Sequence, residues 1–273
     1  MNIILKIIIF LIILILYLNI NKSLYKINTL NCDEIYYKNR SNLLEILYFK
    51  TPSIIYNLDI SINKLESFIN NMFLNIYSND SYDSDNINNI NKIDIIKTVN
   101  YNDLIIDKSN NYISFNNNSY INKDMIMELK KIENKFLPEI NWGVQKYDII
   151  FGNIFSSKIY NELIYQYNFF YLIDGSIELY LIHPKHSLDL KFYFDYKNMN
   201  KSLIDISSKM INNLNYKKID IKKGQAFHIP YGWIYMIEYK ELTKILNFSY
   251  SNVFDIFANF KIYFVNYINK YIV

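Results

Sequence analysis

The chain opens with an unbroken apolar run, Ile7 through Leu18, extended by Ile3-Ile4-Leu5 and interrupted only by Lys6. At roughly 16–18 residues, it falls between a signal-peptide core and a full membrane span. No small-x-small cleavage site follows, because Asn19-Ile20-Asn21-Lys22-Ser23 is polar and bulky. The pattern predicts an uncleaved signal-anchor over residues 1–20 and a single-pass membrane protein. A removed signal peptide, with a secreted or lumenal product, is the alternative. Lys6 on one flank against Lys22 and Lys26 on the other leaves orientation open.

Residues 21–32 read as a linker. Beyond it, Asn42–Lys50 has helical spacing in Leu43, Leu44, Ile46 and Leu47, ends at Thr51-Pro52, and is followed by a strand at Ser53–Tyr56. Ile62–Ile76 is predicted helical from Leu65, Phe68, Ile69, Phe73 and Leu74. Residues 78–91, mostly Asn, Asp and Ser, predict a flexible loop, and residues 122–136 a further helix ending before Pro138. From Tyr147 the pattern changes to short strands: Asp148–Gly152, Tyr165–Ile173, Ile177–Ile182 and Leu190–Phe194. After a helix at Leu203–Leu214 come strands at Lys217–Ile221, Ala226–Ile229, Ile234–Tyr239 and Thr243–Tyr250. Many short strands between turns predict a sandwich or barrel-like β core. Phe254–Val273 carries Phe257, Phe260, Phe264 and Ile268 at helical spacing, which predicts a packing or dimerisation helix.

Composition narrows this picture. Half of the 273 residues are hydrophobic (51%), so the chain has enough apolar surface to fold. The excess of Asn, Ile, Lys and Tyr follows AT-rich codons, so Asn or Lys abundance alone carries no functional weight. Twenty-nine basic against 26 acidic residues, with scattered lysine pairs, exclude a dedicated nucleic-acid binder. The single Cys32 excludes an internal disulfide framework and a cysteine zinc cluster. Only His183, His186 and His228 remain for a histidine metal site. The first two read as an exposed loop pair around Pro184, and His228 as a hydrogen-bonded strand residue.

Two segments are more specific. One is Asn168-Phe169-Phe170-Tyr171-Leu172-Ile173-Asp174-Gly175, continuing through Ser176 to His183-Pro184. The other is Lys223-Gly224-Gln225-Ala226-Phe227-His228-Ile229-Pro230-Tyr231-Gly232-Trp233. Together they resemble the core of the Jumonji-C, cupin-like oxygenases, in particular the asparaginyl-hydroxylase branch. Phe49–Ile55 is similar to that family's N-terminal entry strand. The resemblance implies a mainly β fold with flanking helices, a double-stranded β-helix (cupin jelly roll) over residues 33–253, behind the N-terminal membrane helix. Gly175 and Gly224 suit tight strand-to-strand turns. Pro230 and Gly232 suit a strand end and corner, and Trp233 a core anchor.

The family's chemistry needs iron(II) held by two His and one carboxylate, with 2-oxoglutarate alongside. Carried over residue by residue, the resemblance places the first His at Glu162, the carboxylate at Ile164 and the second His at Tyr235. The cosubstrate lysine falls at Ile177, whereas Asn168 is retained. Ile164 has no donor atom, Ile177 no charge, and a neutral phenol of pKa ~10 is a poor iron(II) ligand. The resemblance therefore implies a membrane-anchored pseudoenzyme with no iron or 2-oxoglutarate, acting as a binding or structural module for an unknown protein partner. A homodimer through residues 254–273 belongs to the same reading. One rival is an active 2-oxoglutarate-dependent hydroxylase or demethylase with an unusual metal site. The other is a cupin that holds a small ligand among Phe170, Tyr171 and Phe192.

Overall fold

The computed structural model describes residues 3–24, 30–41, 43, 51–78, 97–102, 112–136, 143–153, 161–162, 165–184, 192–195, 199–202 and 215–252. The N-terminal apolar run forms one helix, α1 (Ile3–Leu24), longer than the predicted 1–20. Consecutive side chains from Ile7 to Ile13 are all exposed, so the helix has no polar face to turn to water. Among the described residues, no helix is long and apolar enough to cross a membrane.

The rest is mainly β, in two sheets. The larger has nine strands in the spatial order β1 (Asp33–Tyr36), β2 (Ser53–Tyr56), β13 (Ala226–Pro230), β8 (Tyr167–Asp174), β15 (Thr243–Asn252), β6 (Gly143–Gly152), β5 (Tyr112–Ser114), β3 (Phe73–Ser78) and β4 (Lys97–Asn100). It is a mixed sheet: β1 and β2 run parallel, and the other described pairings are antiparallel. The smaller has six, in the order β10 (Phe192–Asp195), β11 (Met199–Ser202), β7 (Asn161–Glu162), β14 (Ile234–Tyr239), β9 (Ser176–Ile182) and β12 (Tyr216–Lys222).

Each face of the large sheet is covered, which is why its strands are apolar on both sides. One face meets the small sheet, where Phe170, Leu172, Phe227, Ile229 and Ile245 pack on Ile177, Leu179, Leu181, Tyr235 and Ile237. The other face carries Phe151, Phe169, Leu246, Phe248 and Tyr250 against two helices, α2 (Asn63–Ile69) and α3 (Lys123–Phe136). Helix α3 turns Met125, Leu129 and Ile132 inward, at the spacing of one helical face. Burying each such side chain stabilises the fold by about 1.5–3 kcal/mol.

Two glycine turns join the sheets. Gly175 (φ 87°) links β8 to β9, and Gly224 (φ 82°) links β12 to β13. Both take left-handed backbone that a side chain disfavours. At Gly175 an added Cβ would also lie 2.7 Å from the Leu242 carbonyl oxygen.

Several expectations need correction. Ile62–Ile76 is not one helix: α2 stops at Ile69, and β3 begins at Phe73. Asn70 and Asn71 form the turn between them, and Leu74, Asn75 and Ile76 are all buried along the strand, with Leu74 and Ile76 in the core. The linker 21–32 begins as the last turn of α1. Strands β1, β4, β5, β7 and β11 had no counterpart in the reading. Ser78 ends β3, and the rest of the 78–91 loop lies outside the described residues, as do Leu203–Leu214 and the 254–273 helix.

Candidate functional site

The positions that the resemblance assigns to chemistry sit on the small sheet and on β8. Tyr235 is on β14 and faces the interior, its ring centroid 5.6 Å from that of Phe170. Ile177 is on β9, also interior and 1% exposed, but opposite Tyr239, four residues along β14 from Tyr235. Glu162 is on β7, which pairs with β14; the register sets Asn161 opposite Tyr235 and Glu162 opposite Ile234. Because opposed residues share a face, this register does not set Glu162 and Tyr235 against each other across the ladder. Ile164 lies outside the described residues.

Asn168 is fully buried on β8. Its amide donates to the carbonyls of Tyr165 (2.8 Å) and Ile229 (3.2 Å), and its Oδ1 lies 3.0 Å from the Ser249 hydroxyl. That hydroxyl is also 2.7 Å from Asn247 Oδ1, and its one proton serves one of the two at a time. Pro230 closes β13, and Trp233 is buried at the corner that follows Gly232. The His183 ring meets it edge-on at 5.3 Å.

The sequence reading missed a larger feature. The interior face of the large sheet is apolar at one end and polar at the other. Alternation along β15 puts Asn247, Ser249 and Ser251 on the same face as interior Ile245. Asp148 and Lys146 on β6 stand opposite Asn247 and Ser249, and Asn168 stands beside Ser249 on β8. Asp148 is 6% exposed, and its carboxylate accepts from the backbone N–H groups of Asn116 (2.7 Å), Asn117 (2.7 Å) and Ile149 (2.9 Å). Burial pushes its pKa up, while Lys146 and those three N–H groups pull it down; burial wins. Lys146 Nζ donates to Asn116 Oδ1 at 2.8 Å. Asn117 donates to Ser114 Oγ and to the Ile149 carbonyl, and accepts from the Asn75 N–H. This network fastens the short 3-10 turn Asn117–Tyr120 onto the sheet. Its hydrogen-bonding capacity is directed into the fold.

The histidines depart from expectation. His183 is 2% exposed against Trp233, so it is not half of an exposed loop pair; His186 lies outside the described residues. His228 is a buried strand residue, but it faces α2 and α3's side of the large sheet, its ring tilted against those of Phe169 (centroids 4.7 Å apart) and Tyr167 (6.0 Å). Among the described residues neither ring nitrogen makes a hydrogen bond of good geometry, the Thr51 backbone being near but poorly placed, which corrects the reading of a hydrogen-bonded residue. Loss of solvation drives its pKa down to about 3, with the nearby Thr51 backbone pulling weakly the other way.

Fold and site together define a mainly β two-sheet domain with a partly polar, internally bonded interior. Among the described residues, no group of three or more His, Cys, Asp or Glu is placed to hold a metal ion. Compared with known proteins, the chain matches no family model and no curated relative.

Proposed function

We propose that this chain is a membrane-anchored, Jumonji-C-like jelly roll that binds or scaffolds rather than catalyses. The observation that carries the reading is the packing at the interior positions where the family's chemistry would sit. Ile177 is an apolar core residue between the sheets, and Tyr235 packs its ring on Phe170. The donor set at these positions does not fit iron(II) with 2-oxoglutarate: an alkyl side chain offers neither a ligand nor a cation, and a neutral phenol is a weak ligand. The two-sheet arrangement, the glycine turns at 175 and 224, and the Pro230–Trp233 corner support the jelly-roll reading.

The anchor rests on α1. A helix with apolar side chains exposed on every side is stabilised by lipid and penalised by water, at about 25 cal/mol per Å² of apolar surface. The test uses the full chain in detergent. Metal analysis is expected to find no stoichiometric iron, and 2-oxoglutarate is expected to persist during incubation. Stoichiometric iron with 2-oxoglutarate consumption overturns the reading.

A further inference from the structure

The small sheet ends at β12, and among the described residues β12 pairs only with β9. The direction of its backbone groups follows from one end. Ser176, opposite Lys222, accepts from the Lys240 N–H on the β14 side, and the Lys222 N–H goes to the Gln225 side chain at 2.7 Å. That opposed pair is therefore not a bonded one, and alternation turns the N–H and C=O groups of Tyr216, Lys218 and Asp220 away from β9. Among the described residues those outward groups have no hydrogen-bond partner.

The side chains sort by the same alternation. Ile219 and Ile221 point to the core between the sheets, Ile221 buried and Ile219 partly so. Tyr216, Lys218, Asp220 and Lys222 are exposed on the outer face. There Asp220 stands directly opposite Glu178, a like-charge pair that weakens a ladder. Glu178 is neutralised by Lys218 (2.6 Å) and Lys240 (3.0 Å), whereas Asp220 forms no ion pair among the described residues. The edge thus offers open backbone groups and one carboxylate short of a cation.

Edge lysines ordinarily deter strand addition. A second copy of the same strand satisfies both the backbone and the charges, in one register. Outward groups must meet outward groups, which limits where a twofold axis can cross an antiparallel pair. An axis at Lys218 or Asp220 sets that residue against its own like charge. An axis at Lys217 carries Asp220 past the end of the strand, and one at Ile221 calls on Lys222, whose N–H and C=O are already taken by Gln225. An axis at Ile219 sets Lys218 of each copy opposite Asp220 of the other.

We propose that β12 is a homodimer seam, in which two copies pair this strand antiparallel about a twofold axis at Ile219 and join their small sheets into one. Lys218 and Asp220 exchange four backbone bonds across the axis, and each Asp220 carboxylate gains a lysine. The two Ile219 side chains meet on the inner face, and each Lys222 lies opposite a Tyr216. A twofold contact of this kind is closed, so it adds one copy and no more. It needs neither the anchor nor the Jumonji-C likeness, and it uses a different segment from residues 254–273.

The experiment uses the full chain in detergent with Cys32→Ser, carrying Ile219→Cys or, as the control, Lys217→Cys. In this register the two 219 positions form a non-bonded pair with Cα atoms about 4.5 Å apart, within disulfide reach. The two 217 positions are offset along the strands by roughly 13 Å, out of reach. Mild oxidation is expected to give covalent dimer from Ile219→Cys and not from Lys217→Cys. In the chain without added cysteines, Asp220→Lys and Lys218→Asp should each weaken dimerisation about tenfold in sedimentation of a dilution series, and the two together should restore it. A chain that is monomeric throughout the series overturns the seam, as does a dimer that cross-links at neither position or equally at both. Single variants that dimerise as tightly as the wild type, or a double variant no tighter than the singles, also overturn it. The cross-linking arm carries the test alone if a charge variant fails to fold.

Discussion

Acidification should weaken this protein through one residue. His228 is 1% exposed, with its ring against Phe169 and neither nitrogen bonded, so the folded state resists protonating it until about pH 3. In the unfolded chain the same group titrates near 6.5. Between those values the unfolded state binds the extra proton, so stability rises with pH and is lost as pH falls below 6.5. The linkage relation gives a loss of about 2 kcal/mol between pH 7 and pH 5, and about 3 by pH 4. The pH 5 figure barely depends on where below 4 the folded value lies. The assay is chemical denaturation of the full chain in detergent at pH 7, 6 and 5, beside His228→Phe. The variant should lose about 2 kcal/mol less than the wild type over that range, and at pH 7 it should be no less stable, since it removes two unpartnered buried nitrogens. Taking the difference cancels His183, His186 and the carboxylates. Identical pH slopes for the two proteins would refute the reasoning.

Other substitutions probe the remaining features. Gly175→Ala should cost about 2–3 kcal/mol in denaturation, combining left-handed backbone with a Cβ driven onto Leu242, whereas Gly224→Ala, with open space around it, should cost about 1. Asp148→Ala should destabilise by about 3 kcal/mol by orphaning three backbone N–H groups, and should speed amide exchange at Asn116 and Asn117 first. On the outer face of the small sheet, burial raises the Glu178 pKa, but bonds from Lys218, Lys240 and Tyr180 outweigh it and bring the value to about 2. Its contribution is therefore present above pH 4.5 and is lost as pH falls toward 2. Glu178→Gln should flatten that acid limb while costing no more than about 1 kcal/mol at pH 7, read by the same denaturation series.

Strands β8, β9, β13 and β14 were legible because each is an apolar run bounded by a glycine or proline turn, and both faces of β8 and β13 are buried. Strands β1, β4 and β5 were not, because three or four residues carry no resolvable period. The helix drawn over Ile62–Ile76 failed for a related reason. Leu65 and Ile69 set a helical spacing that Phe73 continues by chance, although Phe73 is 51% exposed at the start of a strand. The polar floor was hidden by an ambiguity in alternation itself. In Leu246-Asn247-Phe248-Ser249-Tyr250-Ser251, the polar set reads as a solvent face. Only the second sheet, contributed by distant sequence, turns that face inward. Asn168, Ile177 and Tyr235 fell on predicted strands and Glu162 on the unpredicted β7, but strand type does not fix register, and it is register that places Asn161 rather than Glu162 opposite Tyr235.

The position of β15 has a consequence for how the molecule is made. It lies between β6 and β8, bonded to both along most of its length, yet it is the last described strand to leave the ribosome. Until it emerges, the large sheet stays divided into two halves with two raw inner edges, open to mispairing and chaperone capture. A chain anchored through α1, as proposed, would wait in that split state beside the lipid until β15 paired with both halves.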